Sequence, residues 1–175
     1  MKKTILLFAA MFFAVAMNAQ QVIEGEFPSL VGEKKINLKI DYSQIRIDNK
    51  SVDEWLEFRQ AEQPEYDAKS ELETELKPTV YEEISEAIND KLKKHNAYVV
   101  ADGANYTVLV QPKDVARKGN NTNICSILDK DGNILVKFTV KGSGGHWGSM
   151  SNLWGDGYEN SGKSIAKALA NCFKK

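Results

Sequence analysis

The chain of 175 residues has few of the residues that mark specialised protein classes. It contains two Cys and four Pro, too few for a disulfide-dense or a collagen-like protein. Its 23 basic side chains are balanced by 24 acidic ones, so it lacks the positive charge of a strong nucleic-acid-binding protein. Because 42% of the residues are hydrophobic, these absences leave one ordinary globular domain.

Long apolar runs are also scarce, and the one that exists lies at the start of the chain. Two lysines precede an apolar stretch over residues 5–17, and the polar chain begins after Ala19. This order is typical of a secretory signal peptide. The stretch is shorter than the roughly 17–25 residues that cross a bilayer. Cleavage is expected after Ala19 or after Ala16.

The signal peptide sets the expected organisation of the chain. We expect residues 1–19 to be the signal peptide, 20–35 an amino-terminal lead-in segment and 36–175 a single domain. Removal of Lys2 and Lys3 from the 23 basic residues leaves 21 against 24 acidic ones, a net charge of −3. No Cys follows the apolar run to carry a lipid, so we expect an exported, soluble protein, in the periplasm, at the outer membrane or outside the cell.

Apolar periodicity predicts the fold class. Alternation of apolar and polar residues predicts about five strands, over residues 36–42, 97–100, 106–110, 124–128 and 134–140. Helical spacing predicts two main helices, over residues 78–94 and 163–173. A shorter helix should follow the capping-box pattern of Ser51 and Glu54. The sequence therefore predicts a two-layer α+β fold, with the helices packed on a mixed or antiparallel sheet.

Two charged or glycine-containing segments resemble binding sites. Residues 61–77 carry six acidic side chains and two lysines, which favours a solvated helix or connecting segment over a metal or partner site. Residues 157–164 match the phosphate-binding pattern G-x-x-x-x-G-K-[ST] at every position. No strand is predicted directly before them, as a phosphate-binding loop would require. A glycine-rich loop followed by a helix start is the preferred interpretation.

The residues able to bind metals are few and scattered. They are His95, His146, Cys125 and Cys172, and no two of them have the local spacing of a zinc site. No catalytic constellation is visible either, so we predict no cofactor and no enzymatic activity. After export the two cysteines can form a disulfide, or both can be small core residues; the sequence leaves both interpretations open.

Residues 142–162 hold seven of the twelve glycines together with several aromatic side chains. The expected ligand or partner residues in this loop are His146, Trp147, Trp154 and Tyr158. Their rings could form a stacking platform for a sugar or an anchor for a protein partner. Alternatively, the rings fold back to cover an edge of the sheet.

Residues 106–174 resemble a group of uncharacterised bacterial secreted proteins and lipoproteins. The resemblance depends on a strand with Val-x-Val at 108–110, a hairpin over 127–138, the glycine-rich loop 142–162 and an Ala/Lys helix over 164–174. The layout is similar to small α/β domains of the cell envelope, such as the amino-terminal domain of TolB and the CsgG-like assembly proteins. The resemblance implies an interaction or assembly role and no catalytic residues.

The leading hypothesis is therefore a non-enzymatic cell-envelope protein whose partner is another envelope protein, not a nucleic acid. A module that binds glycans or small ligands through the loop 142–162 is the alternative. An enzyme of unknown class ranks third. The sequence does not set the oligomeric state.

Overall fold

The computed structural model describes residues 21–174, so the predicted signal peptide lies outside the described part of the chain. The strands are β1 (Gln21–Gly25), β2 (Lys35–Ile40), β3 (Arg46–Ile47), β4 (Tyr98–Val100), β5 (Thr107–Val115), β6 (Asn121–Leu128) and β7 (Ile134–Gly142). The helices are α1 (Val52–Glu62), α2 (Ala68–Ser70), α3 (Lys77–Leu92) and α4 (Met150–Cys172). A π-helical segment (Glu71–Leu76) joins α2 to α3, and a 3₁₀ turn (Lys93–His95) follows α3.

The strands form one mixed sheet in the order β1-β7-β6-β5-β2-β4. Strands β5, β6, β7 and β1 pair antiparallel, whereas β2 is parallel to both β4 and β5. Strand β3 is also parallel to β5 and pairs with it beyond the end of β2. The prediction of an α+β fold is confirmed, with seven strands within residues 21–174 in place of about five.

The additional strands are short or lie at an edge, which explains why alternation did not predict them. All five residues of β1 are exposed, so this edge strand has no buried face to create a pattern of period two. Strand β3 has only two residues. Strands β5 and β6 also extend beyond their predicted bounds of 106–110 and 124–128. In β6 the added residues include Asn121 and Asn123, whose polar side chains occupy buried positions and therefore break the apolar alternation.

Helices α1 and α3 begin close to their predicted starts and face the core as their sequences predict. Ser51 caps α1 through the expected capping box, in which its backbone N–H donates to Glu54 Oε2 at 2.8 Å. The buried stripe of α3 consists of Val80, Ile84, Ile88 and Leu92, all without solvent exposure. Burying each of these aliphatic side chains contributes about 1.5–3 kcal/mol relative to leaving it exposed.

The acidic segment between α1 and α3 is partly structural. Glu71 is buried, and its carboxylate accepts two hydrogen bonds from the Arg59 guanidinium, at 2.9 and 3.0 Å. A paired geometry of this kind satisfies both charges where water is excluded. Residues 68–77 are helical and residues 63–67 connect them to α1, which fits the expected helix or connecting segment. The Glu71 carboxylate, however, joins α1 to the π-helical segment and is not solvated.

Helices α3 and α4 pack against each other and cover one face of the sheet, with a single hydrophobic core between the two layers. On β5 the buried residues Val108 and Val110 alternate with the partly exposed Leu109 and Gln111, whose side chains point to the other face. Within residues 21–174, no helix combines the length and the apolar character needed to span a membrane.

Candidate functional site

The predicted glycine-rich loop is mostly helix, which corrects the prediction for residues 142–162. Helix α4 begins directly after Ser149, whose side chain accepts a hydrogen bond from Asn152 N at 3.2 Å. Only residues 143–149 form a loop between β7 and α4. Glycines lower helix propensity by about 1 kcal/mol each, so their number in this segment argued against a helix. The packing of α4 explains why they are there.

Two glycines of α4 allow its backbone to approach neighbouring elements closely. A side chain at Gly157 would meet the carbonyl oxygen of Gly119, in the turn between β5 and β6. A Cβ at Gly162 would lie 2.8 Å from the Cβ of Ala87 and 3.0 Å from the Cα of Ile84, both on α3. The residues that predicted a flexible loop therefore serve close packing of a helix.

The phosphate-binding pattern lies within this helix. All eight residues of the match, 157–164, are helical, and no strand directly precedes them. Their backbone N–H groups belong to the interior of a 23-residue helix, beyond the first turn whose N–H groups are free to bind an anion. Gly162 faces α3, as described above. The geometry therefore offers no phosphate cradle at this pattern.

Trp154 and Tyr158 are core residues and not surface ligands, which corrects their assignment as ligand residues. Both side chains have no solvent exposure, and their ring centroids lie 6.1 Å apart. Burial raises the pKa of the Tyr158 hydroxyl far above its usual range, with a smaller contribution from Tyr42. In the alternative interpretation these rings fold back from a loop to cover an edge of the sheet; the structure instead places both on the buried stripe of helix α4.

Three buried polar residues connect α4 to the sheet, and sequence reasoning did not find them. Ser161 Oγ donates to Asn121 Oδ1 at 2.7 Å, and Asn123 Nδ2 donates to Ser161 Oγ at 3.1 Å. Asn121 Nδ2 in turn donates to the Gly119 carbonyl at 2.9 Å. Sliding α4 along the sheet would leave these groups unpaired, so the network fixes the position of the helix.

Trp147 behaves oppositely to the other two aromatics, because its side chain is 90% exposed. The loop that carries it is attached to the fold at its base. Gly144 N donates to Asn120 Oδ1, and Asn160 Nδ2 donates to the Ser143 carbonyl, both at 2.9 Å. His146 is exposed beside Trp147. The structure thus presents one large apolar ring to solvent on a loop whose base is fixed.

A groove between α3 and α4 begins at Trp147. We call it the Trp147 groove; its first part has a volume of about 460 Å³ and its lining includes Trp147, Glu82, Glu83, Asn152 and Asp156. It continues as a second depression of about 280 Å³, which shares Glu83 and whose lining includes Glu86, Asp90, Lys91, Glu159 and Lys163. The groove therefore combines an exposed aromatic ring with a row of carboxylates.

Most of these carboxylates have no cationic partner. Lys163 pairs with Glu159 at 2.7 Å and Lys93 pairs with Asp90 at 2.8 Å. Glu82, Glu83, Glu86 and Asp156 form no ion pair within residues 21–174. Desolvation raises the pKa of Glu83, and the negative charges of Glu159, Glu86, Glu82 and Asp156 raise it further.

The sequence alone could not assemble this groove, because it lies between two helices that are distant in the chain. The acidic residues at 82, 83 and 86 belong to the helix predicted over residues 78–94. Asp156 and Glu159 lie in a segment predicted to be a loop. The available signal is the spacing of these two residues, which places them one turn apart once α4 is known to begin at Met150.

The remaining predicted residues lie elsewhere in the fold. Cys125 lies on β6 and Cys172 at the end of α4, both buried. Cys172 Sγ donates to the Ala168 carbonyl at 3.4 Å, and the disulfide stays one of the two interpretations that the sequence offers for these cysteines. The ring of His95 stacks on that of Phe173, with centroids 5.0 Å apart. Within residues 21–174, no group of three or more His, Cys, Asp or Glu side chains is placed to hold a metal ion.

Comparisons with known proteins identify no family for the chain. No protein-family model and no curated protein matches it. Two solved structures of the PelC dodecamer from Paraburkholderia phytofirmans, one of them a single-substitution variant, share 10% and 12% of their residues with it. In each case the match covers 89% of this chain and 97% of the other, with TM-scores of 0.39 and 0.38. Similarities this weak carry no conclusion about function.

Proposed function

We propose that this protein is an exported, non-enzymatic envelope protein that binds another protein through the Trp147 groove. The observation that carries the proposal is a Trp side chain, 90% exposed, beside a row of carboxylates without cationic partners. The export part of the proposal depends on the sequence of residues 1–19. The resemblance to envelope interaction domains supports the assembly role.

Trp147 has the features of an anchor residue. Exposed Trp side chains are costly to hydrate and are enriched among the residues that dominate binding energies. Because the base of the loop is held by Asn120 and Asn160, less conformational entropy is lost when a partner orders the ring. The ring can therefore contribute apolar contact area in a fixed position at one end of the groove.

The charges of the groove define the chemistry of the partner. Four carboxylates lack an ion pair within the described residues, so bringing an anionic partner close would add to the repulsion that already raises the pKa of Glu83. A Lys or Arg side chain would relieve that repulsion and could also lie over the indole of Trp147, a cation–π contact of about 0.5–1 kcal/mol at an exposed site. We therefore assign the groove to a cationic protein segment.

Fluorescence of the protein can test this assignment with one defined probe, a lysine-rich peptide. Trp55 and Trp154 are 1% and 0% exposed, so quenching by acrylamide reports mainly on Trp147. The peptide should protect the fluorescence from quenching at low salt, whereas a glutamate-rich peptide of equal length should not. Glu82→Gln/Glu83→Gln should abolish the protection. The control variant Glu57→Gln/Glu65→Gln makes the same change of charge on exposed residues outside the groove. This variant should retain the protection by the lysine-rich peptide.

The outcomes separate the proposal from its alternatives. Equal protection by both peptides, or no effect of the groove variant, would contradict recognition of a cationic segment. Protection by a neutral glucose oligosaccharide but not by the lysine-rich peptide would support the glycan-binding alternative. In exporting cells, a photo-crosslinking residue at position 147 should capture a defined partner that the same residue at position 134, also exposed, does not.

A further inference from the structure

We propose that the cationic partner of the Trp147 groove is a second copy of this chain, which presents the uncovered face of its sheet. This inference rests on the proposed function, because it names the occupant of the same groove. The two surfaces lie on opposite sides of one molecule, since α3 and α4 cover only one face of the sheet.

The uncovered face of the sheet carries lysines at outward-facing positions. We call this surface the lysine face; its four lysines are Lys39 on β2, Lys113 on β5, and Lys137 and Lys141 on β7. Alternation along β2 and β7 places Lys39, Lys137 and Lys141 on the face opposite to the buried Leu38, Phe138 and Val140. Lys113 lies in the bulge of β5, between the buried Pro112 and the exposed Asp114. The lysines of β2 and β7 therefore project from the side of the molecule opposite to the acidic groove.

Part of this positive charge is not neutralised within the molecule. Lys39 pairs with Asp102 at 3.0 Å and Lys137 with Glu24 at 3.6 Å. Lys113 and Lys141 form no ion pair within residues 21–174, but Lys113 donates to Gln44 Oε1. A hydrogen bond from Gln111 lowers the pKa of Asp41 and the charge of Lys113 helps to lower it, so Lys141 is the less compensated of the two lysines. Without residues 1–19 the chain has 21 basic and 24 acidic residues, a net charge of −3, and the unpaired carboxylates of the groove and the unpaired lysines of the sheet lie on different faces. Charge complementarity of this kind favours contact between unlike faces of two copies.

The lysine face also offers apolar contacts for Trp147. Leu109 on β5 and Ile124 on β6 are partly exposed and outward-facing. Register places Leu109 opposite Ser126 and therefore diagonal to Ile124, a separation that an aromatic ring can bridge. An indole placed between the lysines would cover these side chains. The lysine face of one molecule therefore offers apolar side chains for the Trp147 ring of the next molecule and lysines for its groove carboxylates.

A contact between two different surfaces has a consequence for symmetry. It cannot be a two-fold dimer, because a two-fold interface uses the same surface of both copies. Repetition of a helix-face-to-sheet-face contact produces a closed ring or an open stack. The expected assembly is therefore larger than a dimer and grows with protein concentration.

Sedimentation velocity of the purified protein with two charge-reversal variants tests the inference. The wild-type protein should associate with increasing concentration, and added NaCl should weaken the association because it screens exposed charges. Glu82→Lys/Glu83→Lys on the helix face and Lys113→Glu/Lys141→Glu on the lysine face should each weaken it at least about tenfold. An equimolar mixture should restore association, since each reversed face meets an oppositely charged partner.

A matched control variant tests whether the effect depends on the position of the charge, and circular dichroism checks that every variant is folded. Glu57→Lys/Glu65→Lys makes the same change of charge outside both surfaces and should leave association unchanged. A monomeric wild-type protein at millimolar concentration would overturn the inference, as would association that neither reversal weakens or a mixture that stays monomeric. If a monomeric wild-type protein still binds the lysine-rich peptide, the self-association is refuted and the proposed function stands. If the groove does not bind the peptide, the proposed function itself is refuted.

Discussion

The close backbone contact at Gly157 gives a stability prediction whose sign differs from that of helix propensity. Replacing a glycine inside a helix with alanine normally stabilises the helix by about 1 kcal/mol. At Gly157 the new Cβ would meet the Gly119 carbonyl oxygen, and it would lie 2.8 Å from the carbonyl carbon and 2.9 Å from Asn121 Nδ2. Two of these three atoms are backbone and cannot rotate away.

Overpacking costs about 1–3 kcal/mol and occasionally more, and an obstacle made of backbone belongs at the upper end of that range. After subtraction of the propensity gain, we expect Gly157→Ala to lower the free energy of unfolding by about 2 kcal/mol. For a domain of this size each kcal/mol corresponds to about 2–4 °C in Tm, so the melting temperature should fall by about 4–8 °C. Thermal and urea denaturation followed by circular dichroism measure both quantities.

Gly155→Ala is the matched control on the same helix. Its Cβ would lie 3.3 Å from Glu83 Oε1 and 3.5 Å from Thr79 Cγ2, which are ends of side chains that can move. The propensity gain should then remain, and the melting temperature should rise by about 2–4 °C. If Gly157→Ala proves as stable as Gly155→Ala, the close approach of α4 to the β5–β6 turn is refuted.

Three further predictions follow from other parts of the core. Burial, together with the charges of Lys94 and Lys174, lowers the pKa of His95, so the folded state binds fewer protons at this residue than the unfolded state does. The free energy of unfolding should therefore be unaffected by this group above about pH 6.5 and should decline as the pH falls below that value. In His95→Gln the decline should be less steep. Arg59→Met should destabilise the fold by about 3–5 kcal/mol in urea titrations because it leaves Glu71 buried and unpaired, whereas Arg59→Met/Glu71→Leu should recover most of the loss. If the two cysteines form the predicted disulfide, the intact mass should increase by two hydrogen atoms on reduction, and an unchanged mass would contradict the pairing.

Local patterns were enough to predict the elements that carry their own signal. The capping box at Ser51 marks the start of α1, and the buried stripe of α3 follows its apolar spacing. The turn at Asp129 and Gly132 joins β6 to β7 as expected, with Gly132 in a left-handed conformation. In each case the residues that determine the structure are neighbours in the sequence.

The site depended on contacts that no local pattern contains. In the sequence alone, Gly157 favours a loop, and only its close approach to Gly119 explains why it lies in a helix. Asn123 likewise favours a polar loop, and only its hydrogen bond to Ser161 explains its buried position in a strand. The three tryptophans are equivalent as letters, yet packing exposes Trp147 and buries Trp154 completely. Sequence therefore predicted the fold class and named Trp147 together with Trp154 and Tyr158, but it did not separate the exposed ring from the two buried ones and did not predict the groove.

The long sequence separation of α3 and α4 makes the groove depend on the docking of the last helix. Its two walls are about sixty residues apart in the chain, and contacts of such high separation carry a large loop-closure entropy. A chain that has not docked its last helix has no second row of carboxylates and no fixed loop to present Trp147. Binding through this surface would therefore select completely folded molecules, so that incompletely folded copies are left out of an assembly without a separate checkpoint.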